Sequence, residues 1–505
     1  MRKAAIVPAS AHAAPGTLAP AGPLRRVRWV GYAILALQLA CFLAWSTILY
    51  RRFSLTLDFA IYHQGWFLVA HGNLDPYNTV QSGYPFWQDH CEFLLWPLAL
   101  FYWIWPHDVM LLWLQDVGVV AAEAVAFSWL CELAQKYRPG KDAAWLTAAG
   151  LVLLVANPWT WRAVSFDFHI EPVAVAFVAL LARDMANGRR RAWAWVVPLL
   201  ACGDVAGTYL IALGLGGVLA GRPSRVQGSV MACLGVCSLL LIMLIHGNRS
   251  SPLWAYAYLA GPPGAPFGVA ALVKGIANHP LRVLRVLWAK RPELWTNLAP
   301  SGLLGVGFVW LLPITIVVLL ANNLQQGDVF AAPGFQTLPL YVLLPVGTVA
   351  VLGRLGRRHR RAALLLTGLV VAQALVWTAV WGPRTSAQWL RVPAPAAATL
   401  ASIESRIPAS AEVIASQGVV GRFSGRTYVR ALLGPGPIPL SSGTTWFVIV
   451  PREGIETAPA ACSKAFIRRL AGPLHAVLVA HANGVWAFRW RPPPGTYTIT
   501  VPAGR

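Results

Sequence analysis

Long apolar runs recur along the chain, beginning with Trp29–Tyr50 and continuing in Ala143–Ala156 and Val226–Ile245. Water cannot solvate such runs, and a bilayer core takes about 20 apolar residues per helix. Of the 505 residues, 57% are hydrophobic and only 12% are charged, whereas a soluble domain carries about 25% charged residues. The 24 tryptophans suit the membrane interface, which favours indole rings. The expected fold is mainly α: a polytopic bundle of roughly 10–12 transmembrane helices by the length rule.

The formal net charge of +22 is explained by basic residues that flank spans on the cytoplasmic side. A nucleic-acid partner is therefore not expected. The seven cysteines show neither a disulfide framework nor metal-ligand spacing. Cys233 and Cys237 share a helix face without His or Asp neighbours and read as packing residues.

Four basic clusters set the orientation: Lys136–Lys141, Arg183–Arg191, Arg222–Arg225 and Arg354–Arg361. All should be cytoplasmic. Residues 1–24 read as a disordered cytoplasmic tail, residues 25–383 as the transmembrane domain, and residues 384–505 as a small α/β extracytoplasmic domain. Phe93–Trp105 is apolar but short and is closed by Pro106. It reads as interfacial or re-entrant, because a crossing there would put the Lys136 cluster outside. The expected location is the cell membrane, multi-pass, with the N-terminus cytoplasmic.

Only 19 residues are acidic, and acids beside spans are costly enough to need a reason. In this threading Asp58, Asp75, Asp89, Glu92, Asp167, Glu171 and Asp204 gather at the outer surface with His63, His90 and His169. The sharpest pattern is Phe166-Asp167-Phe168-His169-Ile170-Glu171-Pro172. If that stretch is extended, Asp167, His169 and Glu171 share one face. They could hold a divalent cation or arrange an acid/base pair, or Glu171 could merely cap the next helix. Asp58, in Asp58-Phe59-Ala60-Ile61-Tyr62, is either a catalytic carboxylate or the N-cap of an amphipathic helix through Val69. Asp204 follows Cys202-Gly203 as a possible cap. His90 opens the short interfacial segment, and Arg162 could meet a phosphate leaving group.

These motifs resemble a large group of bacterial polytopic membrane proteins, catalogued under a domain of unknown function and placed near the GT-C glycosyltransferases. The resemblance covers Leu55–Ile245 and, more loosely, the rest. It is carried by Asp58 to Tyr62, by His90 to Pro106, and by Phe166 to Glu171. Gly72 and Asp75-Pro76-Tyr77 are similar to polyprenyl-phosphate-mannose-dependent GT-C enzymes. A Lys-Glu-Asp motif of the group is reduced to Cys202-Gly203-Asp204, and no further His stands near Gln336–Tyr341.

The resemblance implies a polyprenyl-phosphate sugar donor, an envelope glycan, lipid or protein acceptor, and a carboxylate in the first outer loop acting as base or metal contact. Asp58, Asp167 and His169 are then the catalytic candidates. Tyr62, His90, Arg162, Glu171 and Asp204 would bind substrate. The alternative is a non-catalytic envelope protein or a transporter of a lipid-linked substrate.

Overall fold

The computed structural model describes residues 22–503, apart from residues 82, 222–223, 247–254, 262–267, 327–332, 388, 442, 453–454 and 456–458. Residues 1–21 of the expected N-terminal tail lie outside the described residues, and Gly22–Leu24 already belong to the first helix. Six described helices are long and apolar enough to cross a membrane: Gly22–Arg51, Val109–Tyr137, Lys141–Ser165, Arg225–Ile245, Phe335–Arg358 and Arg360–Thr385. Shorter apolar helices of 10–17 residues accompany them.

In chain order the labelled helices begin with α1 (Gly22–Arg51), α2 (Leu57–Ala70), α3 (Leu95–Ile104) and α4 (Val109–Tyr137). Next come α5 (Lys141–Val155), α6 (Pro158–Ser165) and α7 (Glu171–Ala186). Then follow α8 (Val196–Leu200), α9 (Asp204–Ala220), α10 (Arg225–His246), α11 (Leu312–Asn323), α12 (Leu338–Arg358) and α13 (Arg360–Ala387). Asn157 separates α5 from α6: its side chain accepts from the Trp159 amide at 3.0 Å, with Pro158 opening the new helix. This is an N-cap followed by proline at the first position.

Three basic clusters meet at one end of the bundle. Arg354 and Arg357 reach Tyr137, Arg138 donates to the Gly356 carbonyl and pairs with Asp142, and Arg183 pairs with Glu132. The acids there neutralise the arginines locally; Asp184 takes both Arg189 and Arg191.

The opposite end carries α2, α3 and the start of α4. Ten residues make α3 about 15 Å long, half a bilayer core. It packs along α2, with the Trp66 indole donating to the Leu98 carbonyl and Trp103 to the Ala70 carbonyl. Helix α2 is buried nearly all round, with 12 of its 14 residues inside, so it is not the amphipathic surface helix offered as one reading of Asp58.

Helix α7 runs from the α2 end to Asp184, and the return is short. A 3-10 stretch at Arg190–Trp195 and then α8 rise together about 20 Å. That brings Ala201 back to accept from the Leu94 amide.

After α13 come α14 (Ala394–Glu404), β1 (Glu412–Ser416), β2 (Val429–Leu432), β3 (Gly436–Pro439) and β4 (Thr445–Ile449). The chain ends with α15 (Ala460–Ala471), β5 (Val477–Ala482), β6 (Val485–Trp490) and β7 (Thr498–Val501). Five strands form a mixed sheet in the order β2-β1-β4-β6-β5, with β1 parallel to β2 and β4. Strands β4, β6 and β5 are antiparallel. One face packs on α15 through Phe447, Phe466 and Phe488. The other packs on α14 and continues into the core of the helical bundle.

Candidate functional site at the α2 end

The site is built on the first turn of α2. Thr56 precedes that helix but makes no capping bond with its own side chain. Asp167, 111 residues further on, takes that place. Its carboxylate accepts from the Thr56 amide at 3.0 Å, from the Thr56 hydroxyl and from the Phe59 amide at 3.3 Å. The Phe59 amide is the third of the helix and the usual target of an N-cap side chain. Asp167 is therefore a helix cap supplied from another part of the chain, with its acceptor capacity already engaged. The residue expected to be catalytic or metal-binding is thus, in the structure, engaged with the first turn of α2.

The cap fixes where Asp58 stands. Asp58 is the second residue of α2, with its side chain 37% exposed, and its Oδ2 lies 3.7 Å from His169 Nε2. Burial pushes the Asp58 carboxyl up, while His90 and Arg391 pull it back; the balance stays above the ordinary range. The His169 ring stacks on Phe335, with centroids 3.7 Å apart, and its amide donates to Gln115 at 2.8 Å. Burial holds its imidazole down at about 4, with Asp167 opposing. His169 is thus neutral at neutral pH, a polar neighbour of Asp58 and not its counter-ion.

Tyr62 lies one turn along α2. Its hydroxyl donates to Glu92 at 2.9 Å, and its ring touches those of His90 and His169. Glu171 opens α7 and lies within electrostatic reach of Tyr62, Cys202 and Tyr209. The expected face therefore splits. Asp167 and His169 both reach the first turn of α2, whereas Glu171 turns toward Tyr62. The three do not converge, and among the described residues no three His, Cys, Asp or Glu side chains are arranged to hold a metal ion. The trio does not fit a divalent cation.

Asp204 opens α9, but its side chain lies outside the described residues. Arg162 faces Tyr341, and the guanidinium whose charge reaches Asp58 is that of Arg391. The sequence argument missed Arg391 and the role of Glu92. Arg391 follows the last span on the expected outer side, where basic residues run against the positive-inside trend; that was the available signal.

A second polar cluster joins this end to the C-terminal domain. His63 lies between Ser424 (2.9 Å from Nδ1) and Asp108 (3.2 Å from Nε2). Tyr50 donates to Asp108 at 3.3 Å, and Arg422 stacks on Tyr50 while pairing with Glu404. Burial pushes the Asp108 carboxyl up, but His63, Arg422 and Tyr50 outweigh it and hold it at about 2. Ser424 is fully buried and also donates to the Gly421 carbonyl, so this cluster locks the domains together.

A model of predicted membrane proteins, DUF2079, matches residues 49–435. The chain belongs to this family. The match includes the α2 end and runs into the C-terminal domain as far as β2. No curated protein matches in sequence. Among solved structures, ArnT from Cupriavidus metallidurans bound to undecaprenyl phosphate aligns over 90% of this chain and 98% of its own, with 13% identity and a TM-score of 0.50. The archaeal oligosaccharyltransferase AglB from Archaeoglobus fulgidus, in complex with an inhibitory peptide and a dolichol-phosphate, aligns over 78% of this chain and 64% of its own. Its identity is 12% and its TM-score 0.36. This DUF2079 protein thus has the fold of ArnT, a GT-C glycosyltransferase, with the small sheet domain at its C-terminal end.

The neutral state of His169 has a consequence for stability. Its folded value of about 4 lies below the ordinary 6.5, so the unfolded chain takes up the proton first as pH falls. The stabilisation is fully present above 6.5 and is lost progressively down to about 4, amounting to about 3 kcal/mol. In nanodiscs, the thermal midpoint of the parent protein should fall more steeply from pH 6.5 to 4 than that of His169→Gln. Parallel curves would show that His169 charges freely in the folded state.

Proposed function

We propose that the protein is a glycosyltransferase that moves a sugar from a polyprenyl-phosphate donor to a cell-envelope acceptor at the α2 end, on the extracytoplasmic side. The observation that carries this reading is Asp58 itself. It is a partly exposed carboxylate with a raised proton affinity, beside a neutral histidine, on a helix start fixed from below by Asp167. The ArnT fold, solved with undecaprenyl phosphate, supports the donor class.

In the proposed step, an acceptor hydroxyl attacks the anomeric carbon of the donor. The new glycosidic bond forms as the bond to the phosphate oxygen breaks. Asp58 takes the hydroxyl proton, and the lipid phosphate leaves with the electron pair. Arg391 is the cation placed to meet that phosphate. His169 orients Asp58 and, being neutral, does not compete for the phosphate. No step is routed through a metal, because among the described residues the carboxylates do not converge on one.

Gly203, where the related group carries Glu, does not leave the site short of an acid. A Cβ there would stand 2.6 Å from Glu92 Cγ, so Glu92 occupies the neighbouring space. The φ of Gly203 is 86°, a conformation that favours glycine.

The test is transfer of labelled sugar from synthetic polyprenyl-phosphate sugars by membranes containing the protein. Absence of transfer with every donor and envelope extract would count against the enzyme reading and favour a binding or transport role.

The orientation has its own test. The basic end should be cytoplasmic, which puts α14 outside. A membrane-impermeant maleimide added to whole cells should label Ser402→Cys but not Arg190→Cys, each compared with the parent chain. Both positions are exposed. The reverse pattern would invert the threading and move the proposed site to the cytoplasm.

A further inference from the structure

The sheet of the C-terminal domain has one end of one face that does not follow its own pattern. On this face Ala415, Val448, Val485 and Ala487 are fully buried. The next row along is Val477, Arg489 and Trp446, which stand opposite one another on β5, β6 and β4. Continuing the register by two residues, which returns to the same face, places Arg491 opposite Thr444. Two guanidiniums therefore occupy positions where the preceding rows are core.

The reason they stay uncovered is a mismatch of lengths. The 11 residues of α14 span about 16 Å. Helix α14 is tied to the β5–β6 turn by Asn483, which donates to Pro395 and Thr399. From that turn to Arg491 the strand runs about 20 Å, so the helix stops short. Arg406, just past its end, forms the facing wall.

The result is a cleft of about 940 Å³ lined by Arg406, Arg489, Arg491, Thr444 and Trp446 among others. Among the described residues, none of the three arginines pairs with a carboxylate; the acids of this domain that form ion pairs, Glu404 and Glu412, are taken by Arg422 and Arg430. Trp446, only 5% exposed, lines the cleft, and among the described residues its indole N–H has no acceptor. Unpaired arginines grouped in a concave wall suit bidentate capture of an oxyanion. The volume is that of a ligand larger than a lone ion.

We propose that this cleft binds a phosphate or carboxylate group on an extended anionic ligand. The inference does not rest on the transferase reading. An acidic glycan and a lipid headgroup share this chemistry, and the test separates them. The full chain in phosphatidylcholine nanodiscs is titrated with hexagalacturonate and, as the neutral match, maltohexaose.

Hexagalacturonate should bind and maltohexaose should not. Arg489→Gln and Arg491→Gln should each weaken binding about tenfold or more. Arg468→Gln, the same charge change on exposed α15 across the sheet, should leave it within about twofold. Repeating the titration in phosphatidylglycerol nanodiscs identifies the source: loss of binding there assigns the cleft to lipid headgroups, and undiminished binding assigns it to a soluble glycan. Equal binding of the two hexasaccharides, or equal losses in Arg468→Gln and the cleft variants, overturns the proposal. Unchanged thermal midpoints confirm that the exposed substitutions leave the fold intact. Unaltered sugar transfer in the cleft variants would leave the Asp58 reading where it stands.

Discussion

Asp58→Asn is expected to lower sugar transfer by about 10²–10⁴-fold, the range a positioned general base contributes, while leaving the protein at parental levels in the membrane. The substitution keeps shape and volume. Asp58 does not cap α2; it stands 3.7 Å from His169, and the capping is done by Asp167. What the change removes is the capacity to take a proton. On the proposed reading, transfer by the parent protein should also fall on acidification at a pH above the ordinary carboxylate range, because burial raises Asp58 against the pull of His90 and Arg391. Transfer would be measured with labelled donor, alongside the elution profile of the solubilised protein. A variant that transfers at the parental rate would return Asp58 to a structural role in the first turn of α2.

The difference between Asp58 and Asp167 marks where sequence reasoning stops. Long apolar runs made the helices legible, because hydropathy and length act locally. Strands Glu412–Ser416 and Val485–Trp490 were legible as short, largely apolar runs, and they are buried along most of their length. The sequence also brought Asp58, His90, Asp167, His169 and Glu171 to one end, since charge parity along the threading is a global constraint. It did not assign their roles. Both Asp58 and Asp167 sit beside aromatic residues at a helix boundary, and which one caps depends on a contact between Asp167 and Phe59, 108 residues apart. No spacing rule reports such a cap.

The His63–Ser424–Asp108 cluster was illegible for the same reason, as its three members come from three separate stretches. Two buried acids of α4 were not singled out in the sequence. Asp116 and Glu123 stand seven residues apart on α4, fully buried, with Gln38 of α1 donating to Glu123 at 3.3 Å. Carboxyls inside an apolar run are costly. Here they face α1 within the bundle, away from lipid.

Asp167→Ala should be the most damaging single change for folding at this end of the molecule. It strips an acceptor from the Thr56 amide, the Thr56 hydroxyl and the Phe59 amide. These groups are buried, with Asp167 itself 4% exposed, so water cannot replace it. Loss of an N-cap together with a charge-assisted hydrogen bond should cost about 2–4 kcal/mol. Part of that cost is offset, because burial and the nearby Asp58 already push the Asp167 carboxyl up against the Thr56 hydrogen bonds. Asp167→Asn keeps one acceptor oxygen for the amides and removes the repulsion with Asp58. It should therefore recover much of the stability and a measurable share of the transfer, whereas Asp58→Asn recovers neither proton capacity nor transfer. The comparison is read as thermal midpoint and transfer rate on the same three purified variants. If Asp167→Asn is as inactive as Asp58→Asn while fully stable, Asp167 acts in the chemistry and the assignment of cap and base must be exchanged.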